Sequence, residues 1–164
     1  MAWSLLLRAA AAMSLPTKLL VPTDFGTGSN AALEEAIELA KAFGAEVFVL
    51  HAYEIPIVGF PDGTLVATAD LTSRILEGAR EGLDRLIRAN DGRGVTMHAV
   101  IKQGEAWRAI DEAIAEHGID LVVMSTHGRH GLPRALLGSV AEKVVRTATC
   151  PVLTVRGTAM QAAA

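Results

Sequence analysis

Five short apolar segments, separated by helical patterns, set the strongest limit on the fold of this chain. Each is four to seven residues long and dominated by Val, Leu, Ile and Ala. Such runs are typical of strands that are buried on both faces of a parallel sheet. The five segments are Lys18–Val21, Glu46–Ala52, Val95–Ile101, Leu121–Met124 and Cys150–Val155.

The segments between these strands carry apolar residues at helical spacing. The clearest pattern includes Leu33, Ile37 and Phe43, and it ends at Gly44, a residue type that commonly closes a helix in the left-handed conformation. Three further helices are predicted over Leu71–Asn90, over Glu105–His117 and from Ser139 onward. Strands that alternate with helices predict an α/β fold, here a doubly wound five-stranded parallel sheet with four helices, as in Rossmann-like domains.

Several local features carry expectations of their own. Ser29 or Asn30 is predicted to cap the first helix, and Ser139 with Glu142 has the spacing of a capping box. Gly78 and Gly82 lie one turn apart in the second helix, and we interpret them as tolerated glycines rather than as a close contact. No regular structure is predicted for residues 53–70, a connection rich in Pro and Gly.

Composition narrows the class of protein. Apolar residues make up 51% of the 164-residue chain and aromatic residues only 4%, so the core should be aliphatic. A net charge of −3 without a Lys/Arg cluster argues against nucleic-acid binding. The single cysteine, Cys150, indicates a reducing compartment and therefore a cytoplasmic protein.

The predicted domain covers residues 18–156 and leaves a tail over 157–164. Residues 1–17 are assigned to an N-terminal extension without fixed structure. Arg8 lies in the middle of its apolar run, which fits neither a signal peptide nor a membrane helix.

Polar and glycine-rich residues follow the first and the fourth strands. Asp24 comes just after the first, and Ser125 to Gly128 come just after the fourth. In doubly wound sheets, ligands bind beyond the carboxyl ends of the strands, at the point where the strand order reverses. A strand, a glycine-bearing turn and a helix start are also the parts of many anion sites. The sequence therefore predicts a ligand site that both stretches flank.

Five motifs resemble the universal stress protein family over residues 18–156. They are VPTDF at Val21–Phe25, LH at Leu50–His51, MSTHGR at Met124–Arg129, LGSVAE at Leu137–Glu142 and CPVLTV at Cys150–Val155. The resemblance implies the five-stranded doubly wound sheet of that family. It also implies a homodimer that pairs the last strands, here through Val152, Leu153, Thr154 and Val155.

One branch of that family binds ATP through a glycine, two residues, a second glycine, nine residues, and a third glycine followed by Ser or Thr. Gly128, Gly138 and Ser139 match this pattern, whereas Ser125 occupies the first glycine position. Serine lacks the conformational freedom of glycine but offers a hydroxyl to a sugar.

The resemblance implies a role for each matching residue. Adenosine would lie beside Pro22, Thr23 and Asp24, with Leu50, Ala52 and Met124 as an apolar wall for the base. Backbone N–H groups of Gly128, Arg129, Gly138, Ser139 and Val140, together with the Ser139 hydroxyl and the helix dipole, would hold the phosphates. His127 would orient the loop, and Mg²⁺ would arrive with the nucleotide and keep mostly water ligands.

Other readings remain open. Asp24 also suits a plain turn, and Ser139 a simple helix cap. His127 and His130 lack a third metal ligand nearby, and Cys150 lacks a base partner, so neither a zinc site nor a catalytic thiol is predicted.

Enzymatic motifs are missing from the sequence. It contains no Gly-x-x-x-x-Gly-Lys-Ser/Thr loop, and Thr23–Gly26 stands where ATP pyrophosphatases of similar fold carry Ser-Gly-Gly. We therefore expect a nucleotide-binding regulatory protein with at most slow hydrolysis. The alternative is a dimer that binds no nucleotide and acts through protein contacts alone, a reading that Ser125 favours.

Overall fold

The computed structural model describes residues 15–55, 58–59, 65–66, 69–126 and 137–156. In chain order, its elements are β1 (Lys18–Pro22), α1 (Thr27–Phe43), β2 (Glu46–Tyr53), β3 (Val58–Gly59), β4 (Leu65–Val66), α2 (Ala69–Ala89), β5 (Met97–Gln103), α3 (Ala106–His117), β6 (Leu121–Ser125), α4 (Ser139–Thr147) and β7 (Val152–Val155).

Five of the strands form one parallel sheet in the order β5-β2-β1-β6-β7. The chain starts in the middle at β1, moves outward through β2 and β5, and then crosses to β6 and β7 on the other side. The predicted doubly wound α/β fold is confirmed. The strand order reverses between β1 and β6, so a ligand crevice is expected beyond the carboxyl ends of these two strands.

Two apolar clusters cover the two faces of the sheet. Because successive side chains of a strand point to opposite faces, Leu19 and Val21 pack into one cluster and Leu20 into the other. Helices α1 and α2 cover the first face with residues such as Ile37 and Leu83, whereas α3 and α4 cover the second. The sheet is thereby buried on both sides, which explains the continuous apolar runs in its sequence.

Strands β1 and β6 are joined more closely at one end than at the other. The register of β1 with β2 extends over five residue pairs, whereas its register with β6 comprises Leu19 with Leu121 and Leu20 with Val122. At the amino ends, the Asp120 carboxylate accepts hydrogen bonds from the Thr17 and Lys18 N–H groups at 2.8 and 3.0 Å. The pairing stops before the carboxyl ends, where the crevice begins.

Several element boundaries differ from prediction by one or two residues, and a short strand pair was not predicted. Strand β7 begins at Val152 rather than Cys150, because Pro151 has no N–H to donate to a ladder. Strand β5 covers Met97–Gln103 rather than Val95–Ile101 and follows Gly94, whose φ of 79° ends the preceding turn. The connection predicted to lack regular structure contains the antiparallel pair of β3 and β4.

The predicted helix caps are wrong at both candidate positions. Gly26 and Gly138 are the N-cap residues of α1 and α4, and neither start has a side-chain cap hydrogen bond. Ser29 lies inside the first turn, where its hydroxyl bonds to other partners. The Glu142 carboxylate instead pairs with Arg146 at 2.7 Å. By contrast, Gly44 closes α1 in the left-handed conformation as predicted, with a φ of 69°.

Thr17, the residue before the predicted domain, is bonded to the domain in the structure. Thr17, predicted to belong to the extension, bonds to Asp120 through its hydroxyl as well as its N–H, both at 2.8 Å. Residues 1–14 and the predicted tail at 157–164 lie outside the described residues. Within the described part of the chain, no helix has the length and apolar character needed to cross a membrane.

Candidate functional site

Residues Thr23–Gly26, which we call the β1 corner, turn the chain from β1 into α1. The Asp24 carboxylate is the centre of this corner. Its Oδ1 accepts a hydrogen bond from the Gly26 N–H at 2.9 Å and another from the Ser29 hydroxyl at 2.8 Å. Asp24 therefore closes the turn as well as bringing a negative charge to the edge of the crevice. Both readings of this residue, as turn and as site residue, are compatible with its position.

Thr23 has every polar group engaged within the protein. Its N–H donates to Leu50 O at 2.8 Å, and its Oγ1 accepts from the Phe25 N–H at 3.0 Å. The same oxygen lies 3.1 Å from the hydroxyl of Ser29, which donates onward to Asp24. The Thr23 hydroxyl therefore donates to Ser29, and a relay runs from Thr23 through Ser29 to Asp24. Thr23 is 7% exposed and its polar groups are bonded within the protein. The predicted contact with adenosine would therefore be a van der Waals contact rather than a hydrogen bond.

His51 holds the β1 corner from the neighbouring strand. Its Nδ1 lies 2.8 Å from Thr23 O, and its ring centroid lies 4.4 Å from that of Phe25. A carbonyl oxygen only accepts, so Nδ1 carries the hydrogen in this bond. Phe25 itself has a φ of 61°, the left-handed region that bulky residues rarely adopt.

The glycine pair of α2 behaves differently from our interpretation at one of its two positions. A Cβ at Gly82 would lie 2.7 Å from Cζ of Phe25, whereas a Cβ at Gly78 would meet no atom within 4 Å. Gly78 is thus a tolerated glycine, whereas a larger residue at Gly82 would displace the Phe25 ring. Glycine spacing alone does not distinguish the two, because the aromatic partner comes from a corner 57 residues earlier in the sequence.

The predicted apolar wall forms one cluster on the α3–α4 face of the sheet. Leu50 and Met124 belong to its buried part, with exposed fractions of 1% and 4%, while Ala52 and Val140 pack against it from partly exposed positions. Trp107, predicted to be a core or helix-face residue, packs against the same cluster. The structure therefore brings the three predicted base contacts together, with Ala52 more accessible than Leu50 and Met124. Val140, predicted to contact phosphate through its N–H, packs against the same cluster through its side chain.

The opposite side of the crevice, which we call the β6 flank, consists of Ser125–Thr126 and Leu137–Val140. Its two parts are joined by backbone hydrogen bonds. Gly138 N–H donates to Thr126 O at 2.7 Å, and Thr126 N–H donates to Val155 O at 3.0 Å. The Gly138 N–H, predicted to face a phosphate, is thus engaged within the protein. Its φ of −59° is open to any residue, so a left-handed turn is not the reason for glycine here.

The start of α4 supplies backbone donors at this flank. The first intrahelical bond recorded at this end runs from Glu142 N–H to Gly138 O at 2.9 Å. The N–H groups of Ser139 and Val140 precede it and so have no acceptor within the helix. They also lie at the positive end of the helix dipole, which favours an anion. The predicted site residues His127, Gly128 and Arg129, and also His130, lie outside the described residues.

Charged groups beside this helix start are paired with one another. Lys143, one turn beyond Ser139, lies 5.1 Å from the Trp107 ring and 4.0 Å from Glu105. Glu105 also pairs with Arg108 at 3.0 Å. These contacts join α4 to α3, the helix that carries Trp107.

Cys150 is not built as a nucleophile. Burial raises the pKa of its thiol, and the carboxylates of Asp120 and Asp111 raise it further. The thiol is thus held in its neutral form, whereas the thiolate is the reactive species. Among the described residues, no group of three His, Cys, Asp or Glu side chains is placed to hold a metal ion.

Comparison with known proteins gives the family. The sequence model of the universal stress protein family matches residues 16–156, which is most of the chain. The chain belongs to the universal stress protein family. The match begins two residues before the predicted domain, in agreement with the bonds that Thr17 makes to Asp120.

Relatives of this universal stress protein include both curated sequences and solved structures. Universal stress protein MJ0531 of Methanocaldococcus jannaschii is 37% identical over 145 residues, which cover 87% of this chain and 84% of the relative. A universal stress protein solved in complex with cAMP is 26% identical, has a TM-score of 0.61, and is matched over 88% of this chain and all of its own. A member of the family from Arabidopsis thaliana, solved with AMP bound, shares the fold at 22% identity and a TM-score of 0.61, with 88% and 94% of the two chains covered.

Proposed function

We propose that this universal stress protein binds an adenine nucleotide, ATP with its Mg²⁺, in the crevice between the β1 corner and the β6 flank. Nucleotide binding would then regulate contacts with other proteins during a stress response. The protein would act in a reducing, cytoplasmic setting and turn over ATP slowly, if at all.

One observation carries the proposal. At the carboxyl edge of the sheet, where the pairing of β1 with β6 has ended, Asp24 flanks one side and the first turn of α4 flanks the other. A carboxylate suits the hydroxyls of ribose, and helix N–H groups suit phosphate oxygens. A nucleotide carries ribose hydroxyls and phosphate in one molecule. It therefore fits this pair of flanks better than a simple anion does.

The related structures with cAMP and AMP support the choice of an adenine nucleotide. In the proposed complex, Asp24 would accept from a ribose hydroxyl, Ala52 and Val140 would contact the base or sugar, and Ser139 would donate to phosphate. Ser125 would offer its hydroxyl where the ATP-binding branch of the family has glycine. Gly128 and Arg129 would complete the phosphate contacts, and Mg²⁺ would be held mainly by phosphate and water oxygens.

We also propose that the protein is a homodimer that pairs its β7 strands. β7 is an outer strand of the sheet and pairs with β6 only on one side. Leu153 is 37% exposed there, and Val145 of the adjoining helix is 50% exposed. An apolar strand with an unpaired edge favours pairing with a second copy. Sedimentation equilibrium on the wild type and on Leu153→Lys measures this, and a monomeric wild type at micromolar concentration would contradict it.

Calorimetric titration with Mg-ATP tests the nucleotide proposal. The wild type, first freed of any ligand that co-purifies, is expected to bind one ATP per chain. Gly138→Val should lose this binding yet remain folded, since valine is compatible with the backbone angles of Gly138. Mass spectrometry of the native protein before ligand removal identifies a nucleotide that co-purifies.

Two outcomes would count against nucleotide binding. A wild type that shows no heat with millimolar ATP and Mg²⁺ would favour the alternative function, a dimer that acts through protein contacts alone. Unchanged binding in Gly138→Val would place the phosphates elsewhere. Ser125 and the engaged N–H of Gly138 are the features that favour the alternative.

A further inference from the structure

The β1 corner is held in place by contacts with β2 and with α2. Two of its supports come from β2: the Thr23 N–H donates to Leu50 O at 2.8 Å, and the His51 ring bonds to Thr23 O at 2.8 Å. A third support is the Phe25 ring, which lies against His51 on one side and against Gly82 of α2 on the other. The corner is thus clamped between a strand and a helix of the α1–α2 side.

The backbone of Phe25 shows that this clamp holds the residue in a conformation that phenylalanine disfavours. A φ of 61° is energetically costly for a residue with a Cβ. Phe25 is the only residue other than glycine with a positive φ in the described part of the chain. Contacts of its side chain must offset that cost, and His51 and Gly82 provide them.

Gly82 sets how close α2 can approach the corner. A Cβ at this position would lie 2.7 Å from Cζ and 3.1 Å from both Cε atoms of Phe25, so the ring would have to move. On the other side, the ring rests on His51, which also holds Thr23 O. A displaced ring would therefore disturb the support of the residue next to Asp24.

We propose that His51, Phe25 and Gly82 are positioning residues for the nucleotide, because they fix the backbone that carries Asp24. The inference rests on the proposed function, since it assigns these residues to the same site. Affinity for nucleotide would then depend on a glycine of α2, a helix on the opposite face of the sheet from the predicted base contacts. A corner fixed in advance binds more tightly, because less conformational freedom is lost on binding.

The two glycines of α2 provide a matched pair of variants. Gly82→Ala and Gly78→Ala add the same methyl group to the same helix, and only the first meets Phe25. Both should fold, since alanine is the better helix former. We expect Gly82→Ala to weaken ATP binding about tenfold, as misplaced contact groups do, while Gly78→Ala stays within about twofold of the wild type.

His51 allows a second pair that separates its hydrogen bond from its bulk. The amide nitrogen of asparagine can take the place of Nδ1, and that of glutamine takes the place of Nε2. His51→Asn should therefore keep the donor to Thr23 O and most of the affinity. His51→Gln should lose the donor and bind less tightly than His51→Asn. Equal affinities of the two variants would contradict a positioning role for this bond.

Hydrogen exchange tests the clamp without any nucleotide. The Phe25 and Gly26 N–H groups bond inside the corner, to Thr23 Oγ1 and Asp24 Oδ1. Their exchange should be faster in Gly82→Ala than in the wild type and unchanged in Gly78→Ala. Equal exchange in both variants would mean that the ring moves aside without disturbing the corner, and the inference would be wrong.

The two measurements also separate this inference from the proposed function. If the wild type binds no adenine nucleotide, the proposed function fails and the positioning role fails with it, whatever the exchange rates are. If the wild type binds ATP and Gly82→Ala binds it equally well, only the positioning role fails.

Discussion

The β1 corner and the β6 flank border the same crevice, and they are held in place by different groups. In the corner, the side chains of Asp24, Ser29 and His51 bond to backbone or to one another. In the flank, backbone bonds to backbone, from Gly138 to Thr126 and from Thr126 to Val155. Because the bonds differ, substitutions on the two sides should differ in their effects on stability and on binding. Substitutions in the corner should affect folding and binding together. At the exposed Ser139 of the flank, which makes no side-chain cap bond, a substitution should affect binding with little change in stability.

The largest effect should come from Asp24. Asp24→Ala removes the acceptor for the Gly26 N–H and the Ser29 hydroxyl, so we expect a loss of about 2–3 kcal/mol in the free energy of unfolding. Asp24→Asn keeps an acceptor oxygen and should lose about 1 kcal/mol. Urea denaturation with an unchanged m-value measures both. If the two variants were equally stable, the carboxylate would not be the centre of the corner.

Ser29 and Ser139 compare the two sides with the same substitution. Ser29→Ala removes a buried hydroxyl from the relay between Thr23 and Asp24, and it should cost about 1–2 kcal/mol of stability. Ser139→Ala removes an exposed hydroxyl at a helix start without a side-chain cap, so it should change stability by less than about 0.5 kcal/mol.

Nucleotide titration of the same pair completes the comparison. Ser139→Ala should bind ATP more weakly than the wild type even though its stability is unchanged. A Ser139→Ala variant that is as destabilised as Ser29→Ala would show that side chains hold both flanks.

The smallest effect on nucleotide binding is expected at the far ends of β1 and β6, away from the crevice. Hydrogen bonds from the Thr17 hydroxyl, and then from the Thr17 N–H, hold the pKa of Asp120 below its ordinary value of 3.8. A lowered pKa in the folded state means that ionised Asp120 stabilises the protein above that ordinary value. This contribution is lost as the pH falls through the lowered pKa.

Asp120→Asn tests this assignment through the pH dependence of stability. The variant should be less stable than the wild type at pH 7, and the difference should narrow below about pH 4. Urea denaturation at both pH values measures it, and nucleotide affinity at pH 7 should not change. A stability difference that is the same at pH 7 and pH 3 would rule out the carboxylate charge as its source.

Much of the fold follows from the sequence because the apolar runs specify buried parallel strands and the helical patterns specify what covers them. The doubly wound parallel sheet and the helix end at Gly44 agree with prediction. The predicted helix caps do not agree. Ser29 and Ser139 are residue types that commonly cap helices, but both lie within the first turn rather than at the N-cap position. A capping residue type can be recognised from the local sequence. Which residue stands at the N-cap, here Gly26 and Gly138, depends on the path of the chain from the preceding strand.

The candidate site likewise contains residues that the local sequence indicates and residues that only three-dimensional contacts reveal. Asp24 can be singled out from the sequence because it stands just beyond a strand end, and Gly138 because it directly precedes a predicted helix. His51 and Gly82 cannot, since they contact the β1 corner, which is distant in sequence from both of them. A histidine in a buried strand and a glycine in a helix have ordinary structural explanations, and only the three-dimensional contact distinguishes them.

The hydrogen bond between Gly138 and Thr126 also bears on how this family can diversify. It joins Thr126, directly after β6, to Gly138, directly before α4, so these two points of the chain are fixed to each other at the edge of the crevice. Closing a loop of twice the length costs only about 0.6 kcal/mol more in chain entropy. A longer connection between Thr126 and Gly138 should therefore cost the fold little, provided that the hydrogen bond between these two residues is kept.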